Sequence, residues 1–110
     1  MRSDRERLLD ILQSIELIEK YTKRGRGYFY KNELVQSWVM RYLEIIGEAA
    51  SGSSAELREK NPEIPWRNII GMRNVLAHGY FDIDTDTVWK VVENELNSLK
   101  KSVKKILKGK

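Results

Sequence analysis

Apolar residues recur at three- and four-residue intervals in four long blocks, and no stretch of useful length shows the one-by-one alternation of a half-buried strand. That periodicity admits helices and leaves no material for a sheet. In the first block Leu8, Leu12, Ile15, Ile18 and Tyr21, with Leu9 and Ile11, form one stripe behind a cap at Ser3 or Asp4. Gly25-Arg26-Gly27 should stop this helix near Arg24 and leave Tyr28-Phe29-Tyr30 in a short loop. Asn32 caps the second block, which runs to about Ala50 with a wide apolar face: Leu34, Val35, Trp38, Val39, Tyr42, Leu43, Ile45, Ile46 and Ala49. Gly47 interrupts that block at a cost of up to about 1 kcal/mol relative to alanine. Close approach of another helix there would account for it.

Ser51-Gly52-Ser53 ends the second helix, Ala55 to Lys60 reads as a short polar helical turn, and Asn61 to Pro65 is a rigid connector. Pro65-Trp66 opens the third helix, whose core face is Trp66, Ile69, Ile70, Val75 and Leu76 with Met72 alongside; Gly79 marks its expected end. Aspartates 82, 84 and 86 cap a long fourth helix in which Val88, Val91 or Val92, Leu96, Leu99, Val103 and Ile106 repeat. The expectation is an all-α fold: one domain over residues 1–110, a four- to five-helix up-and-down bundle with a basic tail from about residue 100.

Composition narrows the chemistry. With no cysteine there is no disulfide and no thiolate metal site, and no apolar run approaches a membrane span, which suits a cytoplasmic protein. The formal charge of +4 is unevenly spread. Lys20, Lys23, Arg24, Arg26 and Lys31 form a run without an acid, and six lysines follow Glu95 with no acid among them. Basic residues interleaved with aromatics can hold single-stranded RNA by phosphate contact and base stacking, which makes Lys23, Arg24, Arg26 and Lys31 candidate RNA contacts. The alternative is that the rings cover the end of the core, and that the lysine tail only solubilises.

The aspartates mimic a calcium loop in spacing, but Thr87 stands where such a loop needs glycine. Gly52-Ser53 with Asp84-Thr85-Asp86 holds the ingredients of a nucleotidyltransferase site, yet some thirty helical residues separate them. A lone His78 without cysteine is a poor metal ligand set, so neither a metal nor a cofactor is expected.

What remains is Arg73-x-x-x-x-His78-x-Tyr80, at the end of an apolar helical segment and holding the chain's single histidine. The residue types are an anion clamp, a proton-transfer group near neutral pH and a modifiable phenol. Five residues of helix turn about 500°, so Arg73 and His78 project roughly 140° apart, whereas Asn74 shares a face with His78. Either the last turn unwinds or the site is assembled from two copies of the chain. A plain capping histidine is the competing reading.

These residues carry a resemblance. Leu43-Glu44-Ile45-Ile46-Gly47-Glu48-Ala49-Ala50, Pro62 to Trp66, Ile70 through Phe81 and Val88-Trp89 resemble the HEPN superfamily, and within it the HepT-like toxins of HepT–MntA (minimal nucleotidyltransferase) pairs. Arg73, His78 and Tyr80 fill that family's Arg-x4-His-x-Tyr pattern without departure. The resemblance implies a metal-independent endoribonuclease, the toxin of a type VII-like toxin–antitoxin pair, working as a homodimer with the two motifs meeting near the twofold axis. It implies catalytic roles for Arg73 and His78, and supporting roles for Asn74 and Tyr80. It also implies an MNT-type nucleotidyltransferase antitoxin that inactivates the toxin by AMP transfer to Tyr80. Some members of the superfamily are instead non-catalytic, nucleotide-binding partners of such nucleotidyltransferases, which is the alternative function.

Overall fold

The computed structural model describes residues 2–79 and 84–109, and for residues 77–79 their backbone. All the regular structure among them is helical: α1 (Asp4–Thr22), α2 (Arg26–Lys31), α3 (Glu33–Ser51), α4 (Ala55–Lys60), α5 (Trp66–Gly79), α6 (Thr85–Asn94) and α7 (Leu96–Lys108). The fold is all-α, as the periodicity predicts.

Local chemistry sets the starts of the helices. Ser3 and Glu6 form a reciprocal capping box on α1, and the Ser3 hydrogen bonds hold the Glu6 carboxyl below its usual pKa. Asn32, Ser54 and Asp84 each accept a hydrogen bond from a backbone N–H in the first turn of α3, α4 and α6. Two segments differ from expectation. Tyr28-Phe29-Tyr30 is not a loop but the body of α2, because the chain turns at Gly25 (φ 94°) and at once begins a new helix. The single fourth helix is two, α6 and α7, with the break at Glu95, whose φ of −115° departs from helical geometry.

Polar contacts fix the directions of the long helices. Asp4, at the start of α1, accepts hydrogen bonds from the Ser54 backbone N–H and hydroxyl just beyond the end of α3, so these helices run antiparallel. Near the end of α1, Glu19 binds Lys100 in the first half of α7 at 2.7 Å. Gly47, late in α3, meets Arg73 in α5. The core is built chiefly where α1 meets α3 and α7: Leu8, Ile11, Ile15, Ile18, Val39 and Val103 are almost wholly withdrawn from solvent, with Phe29 of α2 closing one end against Trp89 of α6. Helix α3 packs on α1 and on α5, and α1 packs on α7. The remaining side, where α5 faces the α6–α7 junction, is a cleft of about 440 Å³ with Leu43, Ile46, Ile69, Met72, Leu96 and Leu99 among its walls.

Not every apolar residue of the stripes is needed for this core. Leu9 in α1, Leu34 and Trp38 in α3 and Val75 in α5 stay exposed. Trp89 goes the other way, buried against Phe29. Among the described residues no helix is long and apolar enough to cross a membrane.

Candidate active site

Helix α5 carries the motif, and the glycine in α3 determines how close α5 comes. A Cβ built on Gly47 would lie 2.1 Å from the Arg73 Cβ and 3.1 Å from its Cα. No side chain fits between the helices at that level, so the mid-helix glycine has the reason the sequence suggested. Its partner, not foreseen from the sequence, is the motif arginine itself. The stem of Arg73 is thereby wedged against the α3 backbone and its position along the bundle is fixed.

The head of Arg73 is held in place. One terminal nitrogen, Nη1, donates to Asn74 Oδ1 at 3.2 Å, and Nε is buried without a hydrogen-bond partner. Among the described residues no carboxylate forms an ion pair with it. A half-buried guanidinium with no counter-ion among the described residues can accept an anion, and its planar fork suits phosphate oxygens. Asn74 serves Arg73 here.

The backbone is helical from Trp66 through Gly79, so positions 73 and 78 belong to one continuous helix and remain about 140° apart. The terminal turn does not unwind within the described residues. The side chain of His78 and the whole of Tyr80 and Asp82 lie outside those described. Of the aspartates in the calcium-like spacing, Asp84 and Asp86 are described, and Asp84 caps α6 by accepting from the Asp86 N–H at 3.1 Å. Among the described residues no three His, Cys, Asp or Glu side chains gather as a metal site.

The basic cluster around α2 has a definite geometry. Lys23, Arg24, Arg26 and Lys31 are all exposed. The Arg24 guanidinium lies 4.6 Å from the Tyr28 ring centre and that of Arg26 lies 5.3 Å from Tyr30. Phe29 is buried in the core, so only Tyr28 and Tyr30 remain near the surface, each with an arginine over its ring. The expected row of rings free to stack on bases is therefore reduced to two arginine–tyrosine pairs. The Tyr30 hydroxyl donates to the Asp86 carboxylate, and this bond holds the phenol above its usual pKa, with burial adding to the shift. The same bond ties α2 to the first turn of α6, directly after the segment that contains Tyr80.

Comparison with known proteins identifies the family. A family model described as ribonuclease HepT-like matches residues 11–106. The chain is 40% identical over 97% of its length to a protein named probable ribonuclease HepT from Thermococcus cleftensis, covering 98% of that protein. It is 40% identical over 87% of its length to a protein named putative RNase from Methanocaldococcus jannaschii, covering 89% of it. A further protein of that organism, named gamma-glutamylcyclotransferase and putative RNase, is 41% identical over 97% of this chain, which spans only 49% of the relative. No solved structure matches. Motif, helical frame and sequence likeness converge: the chain belongs to the HepT-like ribonuclease family, within the HEPN superfamily.

Proposed function

We propose that the chain is an endoribonuclease that cleaves RNA without a metal ion, by attack of the 2′-hydroxyl on the adjacent phosphorus. The observation that carries this reading is the Arg73 guanidinium, fixed at Gly47 and by Asn74 yet lacking any anionic partner among the described residues. Placed on the scissile phosphate, it would stabilise the extra negative charge of the pentacoordinate transition state. His78 would take the proton from the 2′-hydroxyl, or give one to the departing 5′-oxygen.

Both proton transfers need a group, and each chain holds one histidine. A homodimer supplies the second, and also answers the 140° separation along α5, since Arg73 of one copy and His78 of the other can then face one phosphate. The exposed Leu34 and Trp38, one turn apart on α3, and Val75 on the adjoining α5 are apolar surface that a second copy would cover. Lys23, Arg24, Arg26 and Lys31 would hold the RNA strand beyond the cleaved bond; the Tyr30–Asp86 bond ties α2, which carries the last two, to the first turn of α6. Tyr80 would hydrogen-bond the phosphate, and AMP transfer to its hydroxyl by a nucleotidyltransferase antitoxin would put a negative group where the substrate phosphate must lie. In this reading the chain is the toxin of a type VII-like pair, a single cytoplasmic domain.

The parent chain, Arg73→Ala and His78→Ala, each incubated with total RNA in EDTA, test the proposal. Cleavage by the parent and loss of about a hundredfold or more in either variant is expected, the usual scale for removing an acid–base group or a charge-stabilising donor. Equal cleavage by all three removes the catalytic assignment, and loss of parental cleavage in EDTA removes the metal-free mechanism. No cleavage with tight binding to a nucleotidyltransferase would place the chain among non-catalytic partners.

A further inference from the structure

Helix α7 carries charge that the fold does not use. Lys101, Lys104, Lys105 and Lys108 are all exposed and, among the described residues, none of their ammonium groups forms an ion pair or hydrogen bond. Their neighbour Lys100 is different: it reaches Glu19 of α1 at 2.7 Å, and that carboxylate raises its pKa. At 100° per residue the four unpaired lysines fall within a sector of about 100°, and they extend about 10 Å along the axis. They form one stripe, on the side away from Leu96, Leu99 and Val103, which are buried in the bundle.

Like charges three and four residues apart on a helix repel, and α7 contains no acid to relieve them. The helix dipole favours cations only in the final turn, which covers Lys105 and Lys108 but not Lys101 and Lys104. A lipid surface is a poor match, because an amphipathic helix binds membrane through its apolar face and here that face is inside the protein. A flexible polyanion in water fits instead, with phosphates spaced so that two can lie along the stripe.

We infer that the Lys101–Lys104–Lys105–Lys108 face of α7 is a docking surface for the phosphodiester backbone of RNA, separate from the α5 site and engaged by substrates long enough to reach it. This rests on the ribonuclease reading for the identity of its ligand. It divides the labour: α5 breaks the bond, and α7 raises the affinity for long chains through counter-ion release.

The test uses the full chain and a variant with all four lysines changed to glutamine (K101Q, K104Q, K105Q, K108Q), with helical content checked by circular dichroism. Affinity is measured for a thirty-nucleotide 2′-O-methyl RNA, which lacks the attacking hydroxyl, at salt concentrations from about 50 to about 300 mM. Each phosphate that the protein no longer neutralises flattens the logarithmic salt dependence by about 0.7. The variant should bind roughly tenfold or more weakly at about 0.1 M salt, with a slope shallower by about 1.4 for two phosphates, while cleavage of a tetranucleotide stays unchanged. Unchanged affinity and slope overturn the inference, and if the parent still cleaves RNA the ribonuclease reading survives alone. Loss of binding to phosphatidylserine vesicles with RNA affinity intact also overturns it. Weakened RNA binding in the variant, together with a parent that cleaves nothing, upholds the surface and overturns the nuclease.

Discussion

The two interfaces of α3 are built on opposite principles. With α1 it builds a ladder of large aliphatic side chains, Leu8, Ile11, Ile15 and Ile18 from α1 and Val35, Val39, Leu43 and Ile46 from α3, all buried in one core cluster, the last two also walling the cleft. Toward α5 the helices come together by subtraction, at a glycine, and the residue brought closest is a charged one, Arg73. Along α5 the described side chains that are buried are Trp66 and Leu76, and its flank opposite α7 borders a cleft. The first interface supplies the burial that holds the bundle together, about 25 cal/mol for each Å² of apolar surface removed from water. The second contributes less burial and more precision, since a close backbone contact fixes where a functional group stands. Stability and positioning are thus assigned to different faces of one helix.

That division breaks most visibly at Ile15, which has 0% of its surface exposed. Ile15→Ala should cost about 2–5 kcal/mol, read from the midpoint and slope of chemical denaturation. Cleavage per folded molecule should change little, because α1 packs chiefly on α3 and α7 and not on the helix that carries Arg73. A loss of activity out of proportion to the loss of stability would mean that the two faces of α3 are coupled.

The second interface is probed by a pair of glycines. Gly47→Ala forces a methyl group to within 2.1 Å of the Arg73 Cβ, a point near the backbone that cannot swing aside. The expected cost is about 1–3 kcal/mol from overpacking, partly offset by alanine's better helix propensity. RNA cleavage should fall further than the folded fraction does, because the helices must part where the arginine is held. Gly71 lies in α5 with open space where its Cβ would be. Gly71→Ala should therefore stabilise by about 0.5–1 kcal/mol and leave cleavage intact. If the two alanines behave alike in thermal melts and RNA cleavage, close approach is not what Gly47 is for.

The same contrast explains what is legible in the sequence. Periodicity locates the long helices because burial of an apolar stripe is a one-dimensional signal, and Ser3, Asn32 and Asp84 mark helix starts because a cap acts within its own turn. Gly47 signals that something comes close. That the something is Arg73 depends on how α3 and α5 lie in register, which no local pattern encodes. The wide stripe on α3 hides a second fact: Leu34 and Trp38 look like core in the sequence but face solvent, as helical spacing cannot tell a core from an interface. The glycines around Tyr28-Phe29-Tyr30 read as breakers and so suggest a loop, whereas Gly25 makes one turn and Gly27 is absorbed into α2. Of the candidate site, the motif is legible from residue types and spacing. That no described carboxylate pairs with Arg73, and that the side between α5 and α7 is open, are not, since both depend on how the tertiary fold places charged and apolar groups.

The smallest expected effect concerns the link between α2, which carries Arg26 and Lys31, and α6. Tyr30 donates to Asp86, and its phenol pKa is raised first by that bond, then by burial, with Arg26 opposing. The bond requires the protonated phenol, and the folded state holds that proton more tightly than the unfolded chain does. Its contribution to stability is therefore complete below the ordinary tyrosine pKa of about 10 and disappears as pH rises through the higher folded value. Asp86→Asn keeps an acceptor near Tyr30 but removes the negative charge, so the phenol should titrate lower. Ultraviolet difference titration against Tyr30→Phe, which subtracts the other four tyrosines, isolates this group. The Tyr30 midpoint should lie above that of free tyrosine in the parent and move down in Asp86→Asn, with a correspondingly weaker dependence of stability on pH above about 10. Arg26 should then lose its fixed place over the ring, and RNA affinity should fall modestly with cleavage of short RNA unaltered, since the bond orients Arg26 and takes no part in the chemistry proposed for Arg73. A midpoint that does not move on Asp86→Asn would detach α2 from α6 and leave the basic cluster without that anchor.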